Sequence, residues 1–186
     1  GTAMTMLIGE ILIGLMFGAA ARILMSAASI AGQVISLHTG LGFAMQLDPM
    51  QGQQGAVLST FLSLIAVVLV LGAGIHRWML QGAVDSYDLF PVGTLPDISD
   101  ATQYGVMAFT EAFRLGIQIA APAIAFGLIF NLAIGLAARL IPQIQIFFIA
   151  MPSSIMFGLI VVMLGMGAGM LAWLEGFDRF LNQGGI

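Results

Sequence analysis

The sequence predicts an all-α protein of the membrane class, built from long kinked helices arranged in helical hairpins. Of its 186 residues, 60% are hydrophobic and only 8% are charged, whereas about a quarter of a typical soluble domain is charged. The apolar residues form four long stretches separated by three breaks. Because a soluble fold this poor in charge would expose large apolar patches, we expect lipid, partner subunits or both to cover the surface.

The first apolar stretch, Met4 to Leu37, carries Glu10 and Arg22. As one helix it would be about 50 Å long, so it must tilt, break or extend beyond a bilayer. Its two charges lie about 18 Å apart along the helix axis and cannot pair directly. Since charged side chains within a membrane usually face a bundle interior, we expect this helix to be packed among others. Glu10 and Arg22 would then make interhelical hydrogen bonds; a proton relay is the alternative.

A connection rich in Gly and Gln, Gly40 to Gly55, leads to the second apolar stretch, Ala56 to Leu80. Its uncharged run, Ala56 to Ile75, has 20 residues, and about 20 apolar residues are needed to cross a hydrocarbon core of about 30 Å. The most polar segment, Asp85 to Asp100, comes next and holds four acids and no base, with Pro and Gly as turn residues. We expect it to be a loop that faces water or a partner.

The third and fourth apolar stretches, Ser99 to Ile141 and Gln143 to Leu174, are separated by Pro142. The tight reversal at this proline predicts that the two stretches form a helical hairpin. Pro122 and Pro152 each remove one backbone donor within a stretch, so they are expected to bend or break the helix. Neighbouring helices can compensate for such a break in a membrane protein.

Two pairs of glycines are spaced four residues apart inside the helical stretches. Gly14 and Gly18 form one pair, and Gly165 and Gly169 form the other. This spacing lets helix backbones approach closely, although either pair can arise by chance in a chain with 24 glycines. Together with the other small residues, the pairs favour dense helix packing.

No pattern in the sequence indicates catalysis, a metal site or a cofactor. The chain has no cysteine and no lysine, which removes thiolate ligands and Schiff-base chemistry. His38 and His76 have no second ligand at metal-site spacing, so packing or hydrogen bonding is their expected role. Ser153 and Ser154 lie outside any G-x-S-x-G pattern, and no histidine occurs in the later helices. A net charge of −4 argues against nucleic-acid binding.

Several motifs occur in a characteristic order along nearly the whole chain. They are Gly40-Leu-Gly-Phe-Ala-Met-Gln-Leu-Asp-Pro49, Ala120-Ala-Pro122, Asn131-Leu-Ala-Ile-Gly-Leu, Ala138-Arg139-Leu-Ile-Pro142-Gln143, Phe147-Phe148 and Met151-Pro152. No single motif is diagnostic. In this order the set resembles the FliR/SctT family of type III secretion export-gate subunits, and the loop resembles flagellar members more than injectisome members.

This resemblance implies two parts. Residues 1–97 would be a FliP-like helical part that contains a pore loop at 40–55, and residues 98–186 would be a FliQ-like helical hairpin. Members of the family usually carry further helical sequence before the stretch that begins near Met4. We therefore expect the sequence to be N-terminally incomplete.

The resemblance also implies a function and partners. The protein would be a non-catalytic subunit of the flagellar type III export gate, in the bacterial inner membrane at the flagellar basal body. It would close a helical assembly with FliP and FliQ, to which FlhB adds, and unfolded proteins would pass through the channel. The residues implied in forming and plugging the pore are Gly40, Gly42, Phe43, Ala44, Met45, Gln46, Asp48 and Pro49. Those implied in the helix kink and hairpin are Pro122, Asn131, Arg139, Pro142, Gln143 and Pro152.

Two alternatives from other functional classes stay open. One is a small-solute or ion transporter subunit in which Glu10, Arg22 and Asn131 line a site. The other is an intramembrane hydrolase that uses Ser153 or Ser154. Without the resemblance, the segment from Gly40 to Gly55 would be interpreted as an ordinary interhelical connection. The five arginines are spread along the chain, so the positive-inside rule predicts no topology.

Overall fold

The computed structural model describes residues 2–42, 57–89, 98–140 and 146–183, and it shows five α-helices and no strand within these ranges. The helices are α1 (Thr2–His38), α2 (Val57–Gly72), α3 (Ile75–Leu89), α4 (Ile98–Leu140) and α5 (Ile146–Gln183). Three segments are long and apolar enough to cross a membrane: Met6–His38, Ser99–Leu140 and Phe148–Leu181. The predicted all-α membrane class is confirmed.

The first long helix, α1, runs parallel to α4. The ring of Phe17 on α1 lies 5.7 Å from that of Tyr104 on α4. Further along both helices, Gly116 on α4 packs against the carbonyl of Ala27 on α1. Residue numbers therefore increase in the same direction in both helices. Both helices carry fully buried alanines, whose small side chains let the two backbones approach closely. They are Ala27, Ala28 and Ala31 on α1, and Ala108 and Ala120 on α4.

The last two helices, α4 and α5, pack antiparallel, as the hairpin prediction requires. A β-carbon at Gly165 would lie 2.8 Å from Cγ of Pro122, and one at Gly169 would lie 3.3 Å from the backbone of Ile119. The predicted close packing of this glycine pair is confirmed. The helix continues through Pro122, and α5 likewise continues through Pro152, so the prolines do not break their helices.

The second apolar stretch, whose uncharged run has the length of a membrane span, is not one straight helix. It is divided into α2 and α3, whose axes meet at 70°. Between them Gly74 has a φ of +77°, the left-handed conformation in which helices commonly end. The uncharged run is long enough to cross a membrane. Its hydropathy, however, could not predict that a helix ends at Gly72-Ala73-Gly74.

The polar segment also differs in part from the predicted loop. Helix α3 continues to Leu89, so Asp85 and Asp88 belong to a helix. Helix α4 begins at Ile98 and has Asp100 in its first turn, where a negative charge complements the helix dipole. Residues 90–97 lie outside the described residues.

The core is formed by α1, α4 and α5 together with the face of α2 that packs on α1. Its largest fully buried side chains include Trp173, Phe177, Leu24, Leu62 and Leu115. Long apolar side chains on the outer faces of α4 and α5 are exposed in the single chain; Leu132, Leu136, Met163 and Leu164 are examples. The chain therefore buries one face of each helix and leaves an apolar face uncovered.

Candidate functional site

The candidate site is the base of the 40–55 loop, where α1 ends. The last turn of α1 carries small polar residues that bond back to their own helix. The Ser36 hydroxyl donates to the carbonyl of Gly32 at 2.8 Å, and the Thr39 hydroxyl donates to the carbonyl of Ile35 at 2.9 Å. Gly40 follows with a φ of +79°, so α1 ends on a left-handed glycine in the usual way.

Two glycines, one on α4 and one on α5, receive this end of α1. A β-carbon at Gly127 would lie 2.8 Å from Nδ1 and 3.0 Å from the main-chain oxygen of His38. A β-carbon at Gly158 would lie 2.8 Å from Cβ of Thr39. Since real side chains do not make contacts this short, only glycine fits at either position, and Thr39 is completely buried as a result.

A serine on α5 completes the contact. The Ser154 hydroxyl donates to the main-chain carbonyl of Thr39 at 3.3 Å. A β-carbon at Gly40 would lie 3.3 Å from that hydroxyl oxygen, so Gly40 is favoured both by its φ angle and by lack of space. We call His38, Thr39 and Gly40 the α1 anchor, and Gly127, Ser154 and Gly158 the socket.

Of the predicted loop residues, only Gly40 and Gly42 lie within the described part of the chain. Gly42 has ordinary helical backbone angles, and the atoms closest to a β-carbon there belong to Ser36 and Leu37 at 3.6 Å or more. The requirement for glycine is therefore seen at Gly40 and not at Gly42. Residues outside the described ranges are Phe43, Ala44, Met45, Gln46, Asp48 and Pro49.

The predicted kink and hairpin residues do not form one cluster. Pro122 packs against Gly165 between the two helices, whereas Asn131, Arg139 and Pro152 are exposed on the outer surface. Pro142 and Gln143 lie outside the described residues. Sequence reasoning missed Gly127, Gly158 and Thr39. The sequence does show Gly127 and Gly158 inside apolar helical stretches, but it does not show which residues these glycines contact.

Arg22 of α1 lies at the same level as charged residues of α4 and α5. Because Phe17 neighbours Tyr104 and Ala27 neighbours Gly116, Arg22 lies at the level of Glu111 along the bundle. Glu111 forms an ion pair with Arg114, and this is also the level of Glu175 and Arg179 on α5, since Gly176 packs on Leu115. Charges on α1, α4 and α5 thus lie at a similar level along the bundle. The side chain of Arg22 is exposed in the single chain.

The residues of the proposed transporter site are far apart. Glu10 lies near the start of α1. Asn131 lies near the other end of that helix, because it is one turn beyond Gly127 on α4, and Gly127 packs against His38 at the end of α1. The distance along the bundle is therefore more than about 40 Å at the helical rise. Glu10, Arg22 and Asn131 do not line a common site.

A groove of about 540 Å³ lies between α1 and α3. Gly14 and Gly18 line it, and no atom lies within 4 Å of a β-carbon at either position. This glycine pair, unlike Gly165 and Gly169, packs against nothing within the described chain. Nδ1 of His76 is buried and has no hydrogen-bond partner among the described residues.

The two serines of the hydrolase alternative donate to main-chain carbonyls. Ser153 bonds to Ile149 in its own helix and Ser154 bonds to Thr39, so neither hydroxyl is directed to a histidine. Among the described residues, no group of three or more His, Cys, Asp or Glu side chains could hold a metal ion.

Comparison with known proteins identifies relatives over most of the chain. A model of the family described as bacterial export proteins, family 1, matches residues 1–180. The flagellar biosynthetic protein FliR of Caulobacter vibrioides is 37% identical over 175 residues, which are 94% of this chain and 70% of that protein. FliR of Aquifex aeolicus is 34% identical over 94% of this chain and 67% of its own length. FliR of Escherichia coli is 32% identical over 84% of this chain and 60% of its own length.

Proposed function

The chain belongs to the bacterial export proteins of family 1, the FliR family of flagellar export, and we propose that it is a non-catalytic subunit of the flagellar type III export gate. It would sit in the bacterial inner membrane at the flagellar basal body. The observation that carries this proposal is the fixed base of the 40–55 loop: the bundle holds one end of the loop at a defined point through the α1 anchor and the socket.

The proposed partners are FliP, FliQ and FlhB, and the proposed substrates are unfolded proteins in transit. The apolar faces of α4 and α5 that the single chain leaves exposed, at residues such as Leu132 and Met163, would be covered by these subunits or by lipid. Large exposed apolar patches mark such contacts. Residues 1–97 would act as the FliP-like part and residues 98–186 as the FliQ-like hairpin.

The proposed mechanism is steric. Phe43 and Met45 provide bulk within a segment that has no charge until Asp48. Bulky apolar side chains in a pore exclude water and make the passage of ions unfavourable. An unfolded substrate would push these side chains aside, and they would return to close the pore after it has passed.

The test is to remove the bulk of the loop while its base is kept. Replacing residues 43–47 with a Gly-Ser segment of equal length preserves Gly40, Gly42 and the length of the connection. We expect the complex to assemble and the resting membrane to leak ions. A matched variant with Gly-Ser at residues 51–55, beyond Pro49, should not leak. If membrane conductance is unchanged in the 43–47 variant, the plug assignment is wrong.

A further inference from the structure

We propose that lipid hydrocarbon covers the outer faces of α4 and α5 over one part of their length, and that the first half of α1 extends out of the bilayer. The two parts of the bundle meet where charged residues of three helices lie at a similar level. We call this the charged level, and its members are Arg22, Glu111, Arg114, Glu175 and Arg179. The inference rests on the membrane location in the proposed function, and it does not depend on whether the 40–55 loop plugs a pore.

The first argument is the distribution of charge along the bundle. Between the charged level and Arg139, residues 115–138 of α4 carry no charge, and residues 148–174 of α5 carry none either. The described residues that pack beside them, 23–38 of α1 and 57–72 of α2, contain no Asp, Glu, Lys or Arg. Charged side chains are costly in hydrocarbon. A bilayer therefore fits between the charged level and Arg139, and it does not fit across the charged level.

The second argument is the length of this uncharged part. Residues 115–138 of α4 extend about 36 Å at the helical rise, and the hydrocarbon core of a bilayer is about 30 Å thick. An ordinary tilt accounts for the difference. The exposed side chains along this part are long and apolar, as Leu128 and Leu132 on α4 and Met163 on α5 show. Helix α1 has 37 residues and is about 55 Å long, so it cannot fit within the same layer.

The third argument is the direction of α3. Helix α2 runs back along α1, because Ser59 packs on Gly32, and His76, just beyond the end of α2, lines the groove beside the first half of α1. The distance from Ser59 to Gly72 is about 20 Å along the helix, which places the end of α2 close to the charged level. There the chain turns by 70°. Helix α3 thus lies across the direction of α2, as a helix in the plane of a membrane surface does.

The side chains exposed at this level suit lipid headgroups. Trp78 on α3 is 54% exposed, and tryptophan is enriched where hydrocarbon meets the headgroups. Arg22, Arg77 and Arg179 expose their side chains, and a guanidinium group binds phosphate through two parallel hydrogen bonds. The partner that fits the charged level is therefore the phosphate layer of a lipid bilayer.

The alternative arrangement is a bilayer that also covers the first half of α1. Hydropathy allows it, since Met6–His38 is apolar and long enough to cross a membrane and Leu15 in this half is exposed. This arrangement would place the charged level in hydrocarbon, at a cost for each charge. The positions of the charges therefore decide between two arrangements that hydropathy does not separate.

The test compares two leucines of equal exposure on opposite sides of the charged level. Leu15 on α1 and Leu128 on α4 are each 64% exposed, and the chain has no cysteine. Leu15→Cys and Leu128→Cys are each labelled with a nitroxide in the full chain, which is reconstituted in vesicles of phosphatidylcholine and phosphatidylglycerol. Electron paramagnetic resonance then measures collisions with oxygen, which concentrates in hydrocarbon, and with a water-soluble nickel chelate.

We expect the ratio of oxygen to nickel collisions to be several-fold higher at residue 128 than at residue 15. Equal, high ratios at the two positions would overturn the inference, because the first half of α1 would then lie in lipid. A high nickel rate at residue 128 would overturn it by showing water there, and low rates with both reagents would overturn it by showing protein there. None of these measurements needs export or an ion leak, so their failure is distinguishable from failure of the plug assignment.

A second measurement needs no substitution and tests the position of α3. The chain has two tryptophans, and Trp173 is completely buried, so quenching by lipids reports Trp78. The vesicles contain lipids brominated either near the headgroup or near the end of the acyl chain. We expect stronger quenching by the bromines near the headgroup. Stronger quenching by the deep bromines, or no quenching by either, would show that α3 does not lie at the membrane surface.

Discussion

The indole N–H of Trp173 on α5 donates to the main-chain carbonyl of Leu24 on α1 at 3.3 Å, and both residues are completely buried. This bond joins the first and last helices across the core. The ring of Trp173 also packs on that of Phe177, with centroids 5.5 Å apart. Leu24 lies near the middle of α1, two residues beyond Arg22, so the bond holds the two helices together close to the level of the charged residues.

Substitution of Trp173 should separate the contributions of this bond and of the ring. Trp173→Phe keeps most of the ring and loses the donor, so the free energy of unfolding should fall by about 1 kcal/mol. Trp173→Ala should cost about 3–5 kcal/mol, because it leaves a cavity. The measurement is thermal unfolding of the purified protein in detergent, followed by circular dichroism.

Trp78, the second tryptophan, is the matched control because 54% of its surface is exposed. Trp78→Phe should change stability by no more than about 0.5 kcal/mol. If Trp78→Phe destabilised the protein as much as Trp173→Phe, the bond to Leu24 could not be the cause of the loss.

The close crossing of α1 and α2 predicts the effect of a single methyl group. A β-carbon at Gly32 would lie 2.5 Å from Cα and 2.7 Å from N of Ser59, which are backbone atoms that cannot rotate away. Gly32→Ala should push the helices apart and weaken the bond from the Ser59 hydroxyl to the Ser29 carbonyl, now 2.9 Å long. Overpacking of this kind typically costs about 1–3 kcal/mol, measurable as a lower midpoint of thermal unfolding.

Gly18→Ala is the matched control on the same helix, since no atom lies within 4 Å of its β-carbon. The isolated chain should gain up to about 1 kcal/mol from the higher helix propensity of alanine. Equal losses for Gly18→Ala and Gly32→Ala would contradict the crossing contact as the cause.

The bend between α2 and α3 predicts a difference between two neighbouring glycines. Gly74 is left-handed and Gly72 is helical, and a β-carbon would have open space at both. Gly74→Ala should therefore cost about 1–2 kcal/mol of conformational strain, whereas Gly72→Ala should be neutral or stabilising. Gly74→Asn should retain more stability than Gly74→Ala, because asparagine tolerates this conformation.

These three variants are compared by their midpoints of chemical unfolding. If Gly72→Ala and Gly74→Ala behaved alike, the left-handed residue would not be what ends α2. The bend would then have to come from tertiary packing alone.

The sequence was sufficient to predict the long helices and one contact between helices. Hydropathy over Ser99 to Ile141 predicts α4 almost to its ends, because an apolar run of this length has no alternative in a membrane. Spacing predicts that Gly165 and Gly169 pack closely. The same spacing at Gly14 and Gly18 leads to no contact with the described residues, since spacing does not specify which face of a helix meets a neighbour.

The contact between the α1 anchor and the socket could not have been predicted from the sequence. Thr39 follows α1, whereas Gly127 lies on α4 and Gly158 on α5. They meet only because the end of α1 packs against both helices of the hairpin. The break at Gly74 was missed for another reason: averaging hydropathy over Ala56 to Ile75 conceals the conformation of a single residue.

Two adjacent serines give the last prediction. It tests the contact between the α1 anchor and the socket without replacing Gly40, whose left-handed conformation would strain another residue. Ser154 donates to the carbonyl of Thr39 on another helix, whereas Ser153 donates to the carbonyl of Ile149 in its own helix. Ser154→Ala should lower stability by about 0.5–1.5 kcal/mol, the usual contribution of such a bond. If the 40–55 loop plugs a pore as proposed, the resting ion leak should also rise, because the base of the loop is held less firmly. Ser153→Ala should do neither, since a bond back to the same helix adds little.

The readouts are ion leak across the membrane and export rate, measured on assembled complexes that contain equal amounts of each variant. Ser154→Thr keeps the hydroxyl and should restore the low leak, which a loss of packing alone would not explain. An intramembrane hydrolase would behave differently: alanine at its nucleophile would abolish turnover and leave the leak unchanged. If Ser153→Ala leaks as much as Ser154→Ala, the bond between Ser154 and Thr39 does not hold the base of the loop, and the leak must arise from general loosening of α5.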